Sequence, residues 1–172
     1  MSDKNAPAEI FSELQRENVF VSVLVNNAGF GRNQAFVETS LLEQSDMIEV
    51  NVTALVQLTR LFLPPMLARR DGKILNVAST AAFQPGPFMS VYYASKAFVF
   101  SFSYAVADEL EGTDISVTTL CPGPTQTAFQ KRAGRFHSEK MLRLWTMSAD
   151  TVARAGYRGL MKEKRVVIPG FL

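Results

Sequence analysis

The sequence predicts an α/β fold, in which helices alternate with the strands of a parallel sheet. Three short apolar runs, at residues 19–25, 73–78 and 115–120, have the length of strands buried inside such a sheet. Longer stretches with apolar residues at helical spacing separate them. Elements in this order form one parallel sheet with right-handed crossovers. The chain is long enough to bury a core, and we expect a single domain over residues 1–172.

The composition favours a globular protein and excludes several kinds of partner and site. Charged residues make up 20% of the chain, and the net charge is +2 without a block of like charge, so we expect no nucleic-acid partner. No apolar run reaches the roughly 20 residues that cross a bilayer, and the first residues lack a signal-peptide core. We therefore expect no membrane partner and a cytoplasmic location. The chain has one cysteine, Cys121, so an internal disulfide is excluded. It has one histidine, His137, which we interpret as a surface residue, and we predict no metal site.

The first helix and strand follow from a proline and an apolar run. Pro7 suits the first turn of a helix that continues over residues 8–16. Residues 19–25 then predict a strand buried on both faces, and the loop at residues 26–29 follows it.

The next helix is defined by a cap and by a pair of prolines. Ser40 and Glu43 form a capping-box pattern and open a helix that runs toward Leu67. Pro64 and Pro65 are expected to kink or end it.

The second half of the chain contains a helix that is apolar almost all round, at residues 91–110. Such a helix must be buried on more than one side, which predicts a homo-oligomer through this helix. The segment 125–146 has only a weak pattern, typical of a mobile segment over a site. The remaining predicted elements are the strands 73–78 and 115–120, a helix over 152–161 capped near Ser148, and a last strand over 165–168.

A tyrosine and a lysine in this helix have a spacing that suits acid–base chemistry. Tyr92 and Lys96 are four residues apart, so they lie one helical turn apart on one face. A nearby ammonium favours the phenolate form of tyrosine, which can then exchange a proton near neutral pH. Ser79 follows the strand 73–78, at the end where open α/β sheets carry functional groups.

Each of these residues also has an ordinary structural explanation. A tyrosine and a lysine four apart occur by chance in many helices, and a serine after a strand is usually a turn or cap residue. Asn51, in the middle of a helix, could simply bend it. Tyr93 is interpreted as a packing or pocket residue, and Ser95 as a residue packed within the helix.

Five landmarks occur in one order along the chain, and in this order it resembles the short-chain dehydrogenase/reductase family. They are Asn26-Asn27-Ala28-Gly29 after a strand, Asn51 in the next helix, Ser79 after the next strand, Tyr92-x-x-x-Lys96, and Pro122-Gly123 after another strand. Each motif is weak alone, but together they span nearly all 172 residues.

The resemblance implies a reversible hydride transfer between NAD(P) and a carbonyl or alcohol. It implies that Tyr92 is the general acid and base, and that Lys96 lowers the pKa of Tyr92 and binds the nicotinamide ribose. It also implies that Ser79 holds the substrate oxygen and that Asn51 positions a water that links Lys96 to solvent. The cofactor-binding residues that it implies are Asn26, Ala28, Gly29, Tyr92, Lys96, Pro122, Gly123, Thr125 and Thr127.

The sequence departs from this family at its start. Members begin with a strand and a glycine-rich turn that meets the cofactor pyrophosphate, and the only Gly-x-Gly here, Gly29-Phe30-Gly31, follows the loop at 26–29. The expected fold is therefore a partial Rossmann-type doubly wound parallel sheet that lacks the first three strands, with the strand 19–25 at its edge. We expect a partner, a symmetry mate or the N-terminal helix to cover that edge.

These features leave two functions open. The first is an oxidoreductase that uses NADP or NAD, although the glycine-rich motif is missing. The second is a cofactor-free fragment or pseudoenzyme that acts only as an association scaffold. A hydrophobic carbonyl or alcohol is the expected substrate, because aromatic and apolar residues surround the motifs. These residues are Phe83, Phe88, Met89, Phe129 and Trp145, and Phe136 and Trp145 could cap the pocket or fill the core.

Overall fold

The computed structural model describes residues 3–134 and 146–170, and a four-stranded parallel sheet lies at its centre. The strands are β1 (Val23–Asn26), β2 (Gly72–Val77), β3 (Ile115–Leu120) and β6 (Val166–Val167), in the order β1-β2-β3-β6. A small second sheet, which the sequence did not predict, pairs β4 (Thr125–Gln126) with β5 (Met147–Ser148). The predicted α/β fold with a parallel sheet is confirmed.

Six helices accompany these strands in the described part of the chain. They are α1 (Ala6–Arg16), α2 (Leu41–Ile48), α3 (Ala54–Arg69), α4 (Ser90–Glu109), α5 (Phe129–Ala133) and α6 (Ala149–Met161). A π-helical turn, Glu49–Thr53, joins α2 to α3 without a break. The predicted caps are confirmed, because the hydroxyls of Ser40 and Ser148 accept the main-chain amides of Glu43 and Thr151 at 3.2 and 3.1 Å.

Two apolar layers hold the helices to the sheet. On one face, Leu24, Ile74 and Val117 pack with Phe62 and Met66 of α3. On the other face, Leu75 of β2 and Leu120 of β3 pack with Val152 and Leu160 of α6. The sheet is thus covered on both faces over β2 and β3, as a parallel sheet requires.

The prediction that the first strand is buried on both faces is wrong. Leu24 points into the core, but the side chains of Val23 and Val25 are 43% and 51% exposed. The physical reason is the position of α1, which packs on α3 through an edge-on contact between Phe11 and Phe62, with ring centroids 5.1 Å apart. The N-terminal helix therefore does not cover the exposed face of β1.

The outer edge of β1 pairs with no strand among the described residues, since β1 is the terminal strand of the sheet. Its edge position agrees with the sequence analysis. Coverage of this edge by a second chain stays a prediction.

The second helix does not end at Pro64 and Pro65, which was one of the two predicted effects of these prolines. The helix passes through Pro64 and Pro65 to Arg69, and Arg70 closes it in the left-handed conformation at φ 55°. Phe62 and Met66, on either side of the prolines, are buried in the core. Their burial holds the helix in place although the prolines supply no amide hydrogen.

By length and composition alone, the continuous helix Leu41–Arg69 could cross a membrane. The same test is passed by core helices of globular proteins, and this helix buries Leu55, Leu58 and Phe62 inside the molecule. The finding is weak support for a membrane span, and the expectation of no membrane partner stays a prediction.

Helix α4 is less buried than the sequence predicted. Its fully buried residues are Ser95, Lys96, Val99 and Ser103, which form one stripe. Phe98 and Tyr104, on the opposite side, are 41% and 43% exposed. One face of α4 is therefore apolar and uncovered in the single chain.

Three predictions fall on residues outside the described ranges. Phe136 and Trp145, predicted as pocket or core residues, and His137, predicted as a surface residue, all lie there. Most of the segment 125–146, predicted to be mobile, lies there as well, and its described parts include β4, α5 and β5.

Candidate active site

The four residues that the sequence selected as catalytic come from three separate parts of the fold. Ser79 follows β2 and caps a short 3-10 turn, Thr80–Phe83. Tyr92 and Lys96 lie in the first turns of α4, and Asn51 lies in the π-helical turn between α2 and α3. Because β2 and β3 are parallel and in register, their carboxyl ends form one rim, and the site lies at that rim.

The Ser79 hydroxyl lies near the Tyr92 phenol and acts on its pKa. The serine oxygen also accepts the amide of Ala81 at 3.1 Å and lies 3.4 Å from the carbonyl oxygen of Pro122. Burial raises the pKa of the Tyr92 phenol, Ser79 lowers it, and the neighbouring Tyr93 raises it. The net pKa lies above the ordinary value, so the phenol is protonated at neutral pH.

In the single chain the pKa of Tyr92 is raised, and Lys96 is not among the named causes of the shift. The role of Lys96 in lowering this pKa stays a prediction. The Lys96 ammonium is buried, donates to the carbonyl of Val77 at 2.9 Å, and lies 5.8 Å from the centroid of the Tyr92 ring. It therefore lies against the Tyr92 ring and bonds to the end of β2. Burial also lowers the pKa of Lys96 itself from 10.5 to about 8, while the Cys121 thiol acts in the opposite direction.

Both polar atoms of the Asn51 side chain form hydrogen bonds within the protein. Its Oδ1 accepts the amide of Phe30 at 3.0 Å, and its Nδ2 donates to the carbonyl of Phe30 at 2.9 Å and to the hydroxyl of Ser95 at 3.0 Å. These bonds tie the loop after β1 to the π-helical turn and to α4. The water-positioning role stays a prediction.

The side chain of Asn26, predicted to line the cofactor, is occupied within the core. Its Nδ2 donates to Asn76 Oδ1 at 2.8 Å and to Thr59 Oγ1 at 3.2 Å, and Asn76 donates in turn to Ser103 Oγ at 2.8 Å. These four residues are buried. The Oδ1 of Asn26 is buried and has no hydrogen-bond partner among the described residues.

A side chain at position 29 would come too close to the side chains of Asn51 and Lys96. A Cβ placed on Gly29 would lie 3.1 Å from Asn51 Oδ1 and 3.3 Å from Lys96 Nζ. A Cβ on Gly123 would meet no atom within 4 Å. Ala28 and Gly29 are both exposed, so the surface above Lys96 is open main chain. This surface fits the close approach of a nucleotide to the backbone.

The residues after β3 form a turn beside Ser79. The carbonyl of Pro122 accepts the amide of Thr80 at 2.9 Å, and Thr125 Oγ1 donates to the carbonyl of Gly123 at 2.9 Å. Thr127 Oγ1 accepts the amide of Phe129 at 3.2 Å. The predicted residues Pro122, Gly123 and Thr125 therefore lie next to the catalytic rim.

A shallow groove opens beside Tyr92 and has both apolar and polar walls. Phe88 and Met89 line it together with Arg32 and Gln34. Three of the aromatic residues singled out in the sequence lie elsewhere around the site. Phe129 contacts the Tyr92 ring with centroids 5.1 Å apart, Phe83 packs on Phe100, and Tyr93 packs over Gly86.

Sequence reasoning missed two residues of the site. Ser95 is the hydrogen-bond partner of Asn51. The only signal for it in the sequence is a hydroxyl residue directly before Lys96. Cys121 is fully buried, and a hydrogen-bonding interaction with the main chain of Ser79 lowers the pKa of its thiol. Burial raises the pKa of the Cys121 thiol to about 11, against the effects of this bond and of Lys96. No group of metal-ligating side chains occurs among residues 3–134 and 146–170.

We predict that Gly29→Ala destabilises the fold by about 1–3 kcal/mol, because Asn51 is held by three hydrogen bonds and cannot move away from the added methyl group. Gly123→Ala is the matched control and is expected to be neutral or stabilising, because its surroundings are open. Urea unfolding of both variants measures the difference. Equal stabilities would show that the Asn51 and Lys96 side chains yield freely.

We also predict a pH-dependent contribution of Lys96 to stability. The unfolded chain keeps the Lys96 proton up to about pH 10.5, whereas the folded chain releases it near pH 8. The unfolded state therefore binds more protons in between, and the Lys96 contribution to the free energy of unfolding rises with pH, by about 1 kcal/mol between pH 7 and 9. Cys121 opposes this trend only from about pH 9 upward.

The measurement is the free energy of unfolding of the wild type and of Lys96→Met at pH 7, 8 and 9. The wild type should gain about 1 kcal/mol relative to the variant over this range. Parallel pH curves for the two proteins would contradict the lowered pKa.

Comparison with known proteins gives a consistent result. The sequence profile of the short chain dehydrogenase family matches residues 1–137. An uncharacterized oxidoreductase, YvrD of Bacillus subtilis, is 39% identical over 124 residues, which are 72% of this chain and 47% of that protein.

Solved structures of the same kind superpose on this chain. A short-chain dehydrogenase from Sphingobium yanoikuyae in complex with NADPH matches with a TM-score of 0.86 at 30% identity, over 96% of this chain and 63% of that one. The closed form of a serine dehydrogenase complexed with NADP+ matches with a TM-score of 0.69 at 36% identity, over 76% of this chain and 53% of that one. The chain spans about half the length of the curated relatives that it matches. It belongs to the short-chain dehydrogenase family.

Proposed function

We propose that this chain takes part in NAD(P)-dependent hydride transfer between a carbonyl and an alcohol, with Ser79, Tyr92, Lys96 and Asn51 as its catalytic residues. The observation that carries this proposal is the meeting of three groups at one place. Ser79 acts on the Tyr92 phenol, and the buried Lys96 ammonium lies 5.8 Å from the centroid of the Tyr92 ring. Two hydroxyls and a cation at the carboxyl rim of a parallel sheet are the groups that a reacting carbonyl oxygen requires.

Tyr92 is the proton donor in the reducing direction. Its phenol is protonated at neutral pH because burial raises its pKa. It can therefore give a proton to a carbonyl oxygen as that oxygen gains negative charge, and it takes the proton back in the reverse reaction. Ser79 holds the same oxygen through its hydroxyl, which lies near the Tyr92 phenol.

Lys96 stabilises the phenolate that remains after proton transfer. With a pKa of about 8 it is charged at pH 7, and its ammonium contacts the Tyr92 ring. Asn51 would position a water that links Lys96 to solvent. Its bonds to the main chain of Phe30 also fix the loop that carries Gly29.

The residues around this centre fit the nicotinamide end of a dinucleotide. When bound, the nicotinamide supplies or accepts the hydride. Lys96, the open main chain at Ala28 and Gly29, and the turn Pro122, Gly123 and Thr125 would hold it, together with Thr127 and the main chain of Asn26. Similar solved structures contain NADPH, NADP+ or NADH, which supports a nicotinamide cofactor, NADP or NAD, for this chain.

The proposed substrate is a small hydrophobic carbonyl compound or alcohol. Phe88 and Met89 in the groove beside Tyr92 and the Phe129 ring on Tyr92 support this class. Arg32 and Gln34 add a polar wall that could meet an oxygen of the same substrate. A cytoplasmic location, where NAD(P) is available, completes the proposal.

The test is calorimetric titration of the 172-residue chain with NADPH and NADH, followed by a reductase assay. We expect micromolar affinity for NADPH or NADH and a loss of turnover of at least about 100-fold in Tyr92→Phe, the scale of a lost general acid. Tyr93→Phe, a neighbouring phenol that packs over Gly86, is the matched control and should keep its turnover. No binding at millimolar cofactor would support the scaffold instead.

We further propose that the chain forms a homo-oligomer through α4. Its exposed side carries Phe98 stacked on Phe102, with ring centroids 5.8 Å apart, and the half-exposed Tyr104. Small residues, Ala94, Ala97 and Ala105, are exposed on the same helix and leave room for the close approach of a second copy.

Light scattering coupled to size-exclusion chromatography tests this proposal. The wild type should elute as a dimer or larger, and Phe98→Lys should shift it to the monomer. Phe36→Lys changes an exposed aromatic residue away from α4 and should leave the mass unchanged. Dissociation by Val25→Lys but not by Phe98→Lys would place the contact at the β1 strand instead.

A further inference from the structure

We propose that Ser95 is a positioning residue, whose hydroxyl couples the amide of Asn51 to the main chain of Tyr92 and so fixes the Tyr92 phenol against Ser79. The inference deepens the proposed function and rests on it for the catalytic meaning of Tyr92. The structural part of the inference concerns the chain alone.

Ser95 sits between the two residues of α4 that carry the proposed chemistry. It follows Tyr92 by three residues and directly precedes Lys96, and its side chain is buried. Its hydroxyl donates to the main-chain carbonyl of Tyr92 at 2.7 Å and accepts from Asn51 Nδ2 at 3.0 Å. Both hydrogen-bonding functions of the hydroxyl are thus used in a buried place.

The partner at the other end of this link is rigid. Asn51 holds the amide and the carbonyl of Phe30 at 3.0 and 2.9 Å, which fixes which end of its side chain is the donor. The second amide hydrogen of Nδ2 is then directed at Ser95. A chain of hydrogen bonds therefore runs from the loop after β1, through Asn51 and Ser95, to the backbone that bears the phenol.

A serine hydroxyl that bonds to the preceding turn of its own helix is common and by itself carries no function. The same helix supplies the comparison. Ser103 donates to the carbonyl of Val99 at 2.6 Å and accepts from Asn76 Nδ2 at 2.8 Å, so it repeats the arrangement two turns away from Ser95. Ser103 contacts no catalytic residue, which makes it the matched control for the loss of two buried hydrogen bonds.

The consequence for the site lies in the direction of the phenol. The Tyr92 phenol lies near Ser79, its ring lies against Phe129 and Lys96, and its backbone bonds to Ser95. The ring contacts permit sliding, whereas the bond from Ser95 holds the first turn of α4 in one place. Loss of that bond should let the Tyr92 phenol move relative to Ser79.

The experiment uses the full chain labelled with ¹³Cζ-tyrosine, without cofactor. Its four tyrosines give four signals, and Tyr92→Phe identifies the signal of Tyr92. We expect Ser95→Ala to move that signal by more than its line width and Ser95→Thr, which keeps the hydroxyl, to leave it in place. Ser103→Ala should lower the melting temperature about as much as Ser95→Ala does but leave the signal unmoved.

A double-mutant cycle with Ser79→Ala tests the route of the effect. If Ser95 acts through the contact with Ser79, then Ser79→Ala moves the signal in the same direction, and adding Ser95→Ala moves it less than in the wild type. An unmoved signal in Ser95→Ala, an equal movement in Ser103→Ala, or full additivity with Ser79→Ala overturns the proposal. If Ser95→Ala does not fold, Ser95→Cys, a weak hydrogen-bonding replacement of similar size, takes its place under the same criteria.

Kinetics separate this inference from the proposed function. Where the chain turns over, Ser95→Ala should lower kcat about tenfold and leave KM within about twofold, while Ser103→Ala changes neither. Unchanged kcat in Ser95→Ala would refute a catalytic consequence. Absence of turnover in the wild type would refute the proposed function, and the signal of Tyr92 would still decide the role of Ser95.

Discussion

The burial of one ammonium group is the constraint on which the site depends. Lys96 lies below the surface of α4, and its partners are the carbonyl at the end of β2 and the face of the Tyr92 ring. A buried cation requires polar partners and close packing, or it releases its proton. A glycine at position 29 accommodates this group, because a Cβ there would lie 3.3 Å from Lys96 Nζ.

Two serine–asparagine pairs organise the same face of the sheet. Asn51 with Ser95 holds the loop after β1 near the rim, and Asn76 with Ser103 lies deeper, where it also binds Asn26. Each serine passes the bond on to the backbone of α4. Helix α4 is thereby fixed by directional bonds in addition to apolar contact, and directional bonds define a single register where apolar packing alone would tolerate sliding.

Much of the fold could be predicted because it depends on local patterns. The strand Ile115–Leu120 was predicted at its observed bounds, and the caps at Ser40 and Ser148 have local sequence signals. The exposure of Val23 and Val25 could not be predicted, because it depends on where α1 packs and not on the strand itself. Likewise, Pro64 and Pro65 are strong local signals that tertiary burial of Phe62 and Met66 overrides.

In the site, too, features that depend on local patterns could be predicted and features that depend on tertiary packing could not. The sequence motifs selected Ser79 and Tyr92 together, and the structure places them near enough for the Ser79 hydroxyl to act on the pKa of the Tyr92 phenol. The direction of the Tyr92 pKa could not be predicted, since spacing along a helix does not reveal whether the ammonium faces the ring or the oxygen. Ser95 and Cys121 were missed because their partners, Asn51 and Ser79, are distant in the chain or act through the main chain.

The position of Cys121 has a practical consequence. It is the only thiol in the chain, it lies fully buried between the Ser79 main chain and Lys96, and its pKa of about 11 keeps it protonated at neutral pH. Alkylating reagents need an accessible thiolate, so they can modify this cysteine only when the rim of the sheet opens. The rate of alkylation by iodoacetamide thus measures how often the rim of the sheet opens around Cys121, and it requires neither a label nor a substrate.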